Sequence, residues 1–178
     1  MTNKKLIIFT DSGDTIIDEA TQVRDERGIV LKADFIPGAG EVLKQLHDEG
    51  FTVALVADGE WESFQNVYRE NGLGYCFDAW IVSEVVGKQK PEPIMFETAM
   101  EALKLTDEDR SRIVMIGNNL RKDIAGANRQ GRISVWLSWS PRYFQTVEEP
   151  DWQPDYTVAT PAELIPLLHR LNEELERN

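Results

Sequence analysis

Leu6-Ile7-Ile8-Phe9-Thr10-Asp11-Ser12-Gly13-Asp14-Thr15 is the stretch that decides the fold. The run from Leu6 to Thr10 is apolar or β-branched throughout, which reads as a strand covered on both faces. It stops on a carboxylate followed by turn formers. In an open α/β sheet, ligands bind in the crevice beyond the carboxyl ends of the strands, so Asp11 stands where chemistry is done. A lone Asp after a strand is more often a turn cap. The rest of the chain separates the two readings.

Upstream, Met1 to Lys5 is short and polar, and the strand after it is too brief for a signal peptide or a membrane span. Downstream, residues 22–31 alternate around Asp25-Glu26-Arg27-Gly28, a hairpin turn. Pro37-Gly38 opens a helix with Ala39, Val42, Leu43 and Leu46 on one face, closed by Gly50. A second buried strand is predicted over 51–57, a helix carrying Trp61, Phe64 and Tyr68 up to Gly72, and a short third strand at Trp80-Ile81-Val82. Residues 91–105 read as a helix with its prolines in the first turn. A capping pattern at 106–109 precedes a fourth strand over 113–116, a helix over 120–130 and a fifth strand over 133–137. Tyr156-Thr157-Val158 is a final extended piece. Thr160-Pro161-Ala162-Glu163 then caps a helix whose stripe is Leu164, Leu168, Leu171 and Leu175. Strand–helix alternation implies a parallel sheet with helices on both faces. The 178 residues suffice for one domain, 1–178, without repeats or linkers.

A net charge of −12 argues against nucleic acid as partner, because a binder needs a basic face to release phosphate counterions. It also disfavours an anionic membrane. The single cysteine, Cys76, allows no internal disulfide and fits a reducing compartment, so a cytoplasmic protein is expected.

Polar residues gather at the strand ends. Asp11 follows the first strand, Gly87-Lys88-Gln89-Lys90-Pro91 the third, and Gly117-Asn118-Asn119-Leu120-Arg121-Lys122-Asp123 the fourth. A carboxylate, a lysine and an acidic or amide cluster at one sheet edge suit phosphoryl transfer. The carboxylate attacks phosphorus, a divalent cation and the lysine neutralise charge, and the cluster holds the metal.

In these motifs the chain resembles the haloacid dehalogenase superfamily of phosphatases and related hydrolases. The likeness runs over nearly the whole length. It takes in the Asp11 loop, Lys90-Pro91 with Phe96, residues 117–123 followed by Ile124-Ala125-Gly126-Ala127-Asn128, and the ending Asp155-Tyr156 with Glu163-Leu164. It implies a three-layer Rossmann-like fold with the Asp11 strand near the centre, a helical turn over 14–18 and a β-hairpin flap at about 20–33. Neither place where relatives insert a cap has room for one, so the site would be open. A second subunit or a large substrate would have to cover it.

The resemblance makes Asp11 the nucleophile and Lys90 the charge neutraliser, and assigns Mg²⁺ to Asp11, the Gly13 carbonyl, Asn118 and Asp123. Departures are as telling. Phosphatases of the family carry a second Asp two residues after the nucleophile to protonate the leaving group; here that residue is Gly13, and Asp14 is one position late. Losing a general acid costs about 10²–10⁴ in rate, so substrates with good leaving groups are expected. The phosphoryl-binding Thr or Ser is Ala57, with Asp58 beside it, and Asn118 replaces a metal-holding acid, so the cation should be held less tightly. Lys88 reads as a surface lysine, Asn118 and Asn119 taken alone as turn residues, and His47 and His169 as structural. Three functions stay open: a Mg²⁺-dependent phosphohydrolase working through an aspartyl-phosphate, a degenerate member that binds a phosphorylated ligand or a protein partner, and metal-free carbon–halogen hydrolysis at Asp11.

Overall fold

The computed structural model describes residues 5–177, so the polar start read at Met1 to Lys5 lies, apart from Lys5, outside it. Six strands form a parallel sheet: β1 (Ile7–Thr10), β4 (Thr52–Ala57), β5 (Ala79–Val82), β6 (Ile113–Gly117), β7 (Ile133–Leu137) and β8 (Tyr156–Val158), in the order β5-β4-β1-β6-β7-β8. The Asp11 strand is central, paired with β4 on one side and β6 on the other. A separate antiparallel pair, β2 (Val23–Arg24) and β3 (Val30–Lys32), is the hairpin, turned by Gly28 at φ +84°.

Period-2 alternation sends alternate strand residues to opposite faces. Leu6, Ile8, Val53, Leu55, Val114 and Ile116 pack against α1 (Ala39–Asp48), α2 (Trp61–Glu70) and α6 (Leu164–Arg177). Ile7, Phe9, Ala54, Val56, Ile113 and Met115 pack against Met95, Phe96 and Ala99 of α4 (Pro93–Ala102). A one-turn helix, α3 (Ser83–Val86), precedes α4. Gly38 caps α1 at φ +84°, a backbone angle that glycine adopts without a Cβ clash. Thr160 and Glu163 form the expected capping box, and Leu164, Leu168 and Leu171 of the α6 stripe are buried.

Three sequence expectations shift. The helix expected over 91–105 begins at Pro93, not Pro91. The helical turn expected over 14–18 is a single hydrogen-bonded turn at 14–16 and does not extend into a helix; there the Ser12 carbonyl accepts from the N–H groups of Thr15, Ile16 and Ile17. The continuous helix expected over 120–130 is divided into a wide π-turn, Leu120–Ile124, and a short α5, Ala125–Arg129. Its start is held by Asn119, whose side chain accepts from Arg121 and Lys122. Among the described residues, the stretch between β1 and α1 holds the hairpin and that between β4 and α4 holds α2, β5 and α3; neither holds a cap domain.

Candidate active site

Asp11 leaves the end of β1 with its N–H bonded to the Ile116 carbonyl at 2.9 Å, tying it to β6. Its carboxylate is partly open to solvent at 14% side-chain exposure. Lys90, on the loop before α4, is buried to 1% and reaches across the strand ends. Its ammonium lies 2.8 Å from Asp11 Oδ1 and 2.7 Å from Asp123 Oδ1. It also donates to the Val56 carbonyl at 2.7 Å. Burial alone would discharge such a lysine, but the negative charges of Asp11, Asp123 and Asp58 outweigh it and hold the ammonium firmly protonated.

Asp123 is the mirror case. Burial drives its carboxyl well above the usual range and Asp11 adds repulsion, against the pull of Lys90. Its other oxygen accepts the Asn119 N–H at 3.0 Å. Asp123 lies in the π-turn, Leu120–Ile124, and is buried there.

Both Asp58 carboxylate oxygens are engaged: Oδ1 accepts the Lys90 N–H at 3.0 Å and Oδ2 the Lys122 ammonium at 2.7 Å. Ala57 is buried in the larger core and offers no polar atom to a ligand. Asn118 is buried too, and neither polar atom of its side-chain amide has a partner, while its carbonyl accepts Trp136 Nε1 at 3.1 Å. An orphaned buried amide is costly. It marks a place built for a ligand. Among the described residues no three His, Cys, Asp or Glu side chains converge. The donor set of Asp11, Asn118, Asp123 and the Gly13 carbonyl is nevertheless all oxygen, as a hard cation requires.

At Gly13 the structure adds what sequence reasoning missed. A β-carbon there would lie 1.9 Å from Glu19 Oε1, so the Glu19 carboxyl fills the space of a side chain at 13. Burial raises the Glu19 pKa, Asp14 adds to it, and Arg142 opposes both. Asp14, one position late in the motif, is committed to other partners: its carboxylate accepts the Glu19 N–H at 3.0 Å, the Ser140 hydroxyl at 2.7 Å and Arg142 Nε at 2.6 Å. Glu19 gave no signal in the sequence because it lies six residues past the motif position. Lys122 stood within the quoted motif without an assigned role. Gly13, Glu19, Asp58, Ser63, Lys122 and Tyr143 are among the residues around a cleft of about 320 Å³ beside these groups. Lys88 is exposed, as expected. His169 pairs with Glu49 at 2.6 Å and His47 packs edge-on against Tyr75, both on helices.

Residues 4–131 match the model of the haloacid dehalogenase-like hydrolases. The chain is 28% identical to a glyceraldehyde 3-phosphate phosphatase of Pyrococcus furiosus, over 77% of this chain and 55% of that protein. It is 32% identical to the pyrimidine 5'-nucleotidase YjjG of Escherichia coli, over 75% of this chain and 56% of that protein. It thus spans little more than half the length of these curated relatives. The HAD-hydrolase YfnB of Bacillus subtilis, solved bound to magnesium, shares the fold at TM-score 0.74 and 19% identity, over 93% of this chain and 99% of that one.

Proposed function

The chain belongs to the haloacid dehalogenase-like hydrolase family, and on that premise we propose that it is a phosphatase that hydrolyses phosphate esters through a phosphorylated Asp11. The observation that carries this is the Asp11–Lys90–Asp123 array, a carboxylate with a small solvent-facing part held by a buried cation. An Asp11 oxygen attacks phosphorus and the bond to the leaving oxygen breaks. Lys90, 2.8 Å from Asp11 Oδ1, aims the nucleophile and offsets the charge gathering on the phosphoryl oxygens. Glu19, in the space over Gly13, gives its proton to the departing oxygen. Water then attacks the aspartyl-phosphate, its proton passes back to Glu19, and phosphate and the free Asp11 carboxylate are restored. Mg²⁺, when bound by Asp11, Gly13, Asn118 and Asp123, would supply further neutralisation of the phosphate charge.

Glycine at 13 alone implies a preference for leaving groups of low pKa; a proton from Glu19 relaxes it. The substrate is a phosphorylated small molecule, or a larger one, since no cap closes the site. The lone, buried Cys76 fits work in a reducing cytoplasm.

Asp11→Asn is nearly isosteric, so it should abolish turnover of a panel of phosphate esters while thermal unfolding stays unchanged. Retained activity would remove Asp11 from the mechanism. Apolar Ala57 and uncharged Asn118 favour a second reading, a protein that binds a phosphorylated ligand or a partner without turnover. Binding without hydrolysis, with and without Mg²⁺, would establish it. Turnover that needs no metal would instead favour the dehalogenase-type chemistry.

A further inference from the structure

A second cleft, of about 650 Å³, shares Lys122 and Tyr143 with the mouth of the site and begins at Pro91 and Asn119, the neighbours of Lys90 and Asn118. Arg121 lines it. Its guanidinium carbon lies 5.5 Å from the Phe144 ring centroid and 5.7 Å from that of Trp152, and the two rings lean on each other at 5.4 Å. A guanidinium held over aromatic faces keeps its N–H donors free in its own plane, a fork that matches a carboxylate or phosphate.

Among the described residues that fork has no acceptor. The contrast with its neighbours is sharp in a chain of net charge −12. Arg110, Arg112, Arg129, Arg132 and Arg142 each sit on a carboxylate. In the cleft itself, Asp151 is taken by Arg129 and Lys122 by Asp58, leaving Glu149 as the other charge on the lining. Arg121 follows Asn118 by three residues, so their Cα atoms are at most about 11 Å apart. Because Lys122 and Tyr143 line both clefts, a substrate whose phosphate lies at Asp11 would extend toward Arg121 along that shared wall.

We infer that Arg121 is a specificity-determining residue that binds a second anionic group of the substrate, so the preferred substrates are compact phosphate esters bearing a further carboxylate or phosphate. The inference rests on the phosphatase reading of Asp11 for its kinetic consequence, but not for the binding itself. The segment 140–152, through Tyr143, Phe144 and Trp152, then does part of the work of the missing cap: it walls the open side and selects.

Two measurements test it. Rates are compared for esters of matched leaving-group pKa, one with no second charge, one with a carboxylate, one with a second phosphate. The doubly anionic esters should be favoured at least tenfold in kcat/KM, mainly through KM. Arg121→Met, which keeps a stem over the rings, should erase that ratio, and Arg121→Lys should restore part of it. A ratio unchanged in Arg121→Met overturns the inference; which of the two anions shows the larger ratio names the group selected. Binding is read separately in the Asp11→Asn protein, by calorimetry in chelator-treated buffer, with a series of α,ω-alkylenebisphosphonates of two to six carbons, the tightest of them compared with the alkylphosphonate of the same chain length. The bisphosphonate should bind at least tenfold tighter, and Arg121→Met should remove the difference. If that difference holds while no ester is turned over, the phosphatase reading fails and Arg121 stands. Equal binding of the two phosphonates overturns Arg121 whatever the turnover.

Discussion

Gly13 is needed for space, not for an unusual backbone angle. It is absent from the positive-φ glycines, whereas any Cβ there would run into the Glu19 carboxyl. Two residues thus share one position's work. Glu19→Gln keeps the shape and removes the proton, so it should slow alkyl phosphates by about 10²–10⁴ and aryl phosphates far less. A plot of log rate against leaving-group pKa, shallow in the native protein and steep in the variant, checks this; parallel plots would take Glu19 out of the proton path. Gly13→Asp should not improve alkyl esters unless Glu19 is also cut back, as in Gly13→Asp/Glu19→Ala. The Asn118 amide is buried without a partner, so Asn118→Asp places a charge at a buried position in the loop where burial already penalises Asp123. The variant should melt lower in chelator and gain more than the native protein when Mg²⁺ is added, because a ligand bound only by the folded state stabilises it. Equal gains in the two proteins would mean that residue 118 does not touch the metal.

Segments 10–24 and 138–149 are where reading the sequence and seeing the fold diverge most. Strands and most helices were legible because burial imposes a period, 2 for a strand and 3.6 for a helix. Asp11 and Lys90 were legible because each follows a strand in a quotable motif. Glu19, Tyr143 and Arg121 were not, since their positions depend on how loops cross, and a loop leaves no period. The wide turn at Leu120–Ile124 escaped for a related reason. Its pattern suits a helix, but the Asn119 carbonyl accepts from Lys122, Asp123 and Ile124 together. The crossing of the two loops is fastened by Asp14, buried and at φ +50°. Its carboxylate serves Glu19, Ser140 and Arg142 at once. Asp14→Ala should strand those donors and cost about 1–3 kcal/mol, a fall in Tm of roughly 2–4 °C per kcal/mol for a chain this size. It should also speed tryptic cleavage after Arg142 and weaken the discrimination attributed to Arg121, because Tyr143 and Phe144 belong to the loosened segment. Unchanged proteolysis would show that the loop is held by other contacts.

Across the whole molecule, charge is arranged differently at the two ends of the sheet. At the carboxyl ends stand an orphaned amide, a crowded pair of carboxylates and an arginine that has no carboxylate partner among the described residues. At the amino ends of β6 and β7 the chain is tied shut. Glu97 of α4 takes Arg110 at 2.6 Å, from the turn before β6, and Arg132 at 3.2 Å, from the residue before β7. Arg132 is wholly buried, with Nη2 also 3.0 Å from Met100 Sδ and its guanidinium 5.4 Å from the centre of the Phe96 ring. Its burial alone lowers its pKa, and Glu97 opposes that. Removing one partner of a buried pair costs about 3–5 kcal/mol. Glu97 is 38% exposed, so solvent screens it and about 2 kcal/mol is the figure expected for Glu97→Gln near neutral pH, a fall in Tm of about 4–8 °C. The pH dependence has a definite sign. The Arg110 hydrogen bond, against some burial, holds the Glu97 carboxyl below its ordinary value, with Arg132 adding to the effect. A depressed carboxyl contributes stability that is present above the unfolded pKa and lost as pH falls through the folded one. The gap in Tm between native protein and Glu97→Gln should therefore be constant from pH 8 down to about 5 and close below about 4.5. A gap that persists at pH 3 would mean that Glu97 acts through packing, not through its charge on the two arginines.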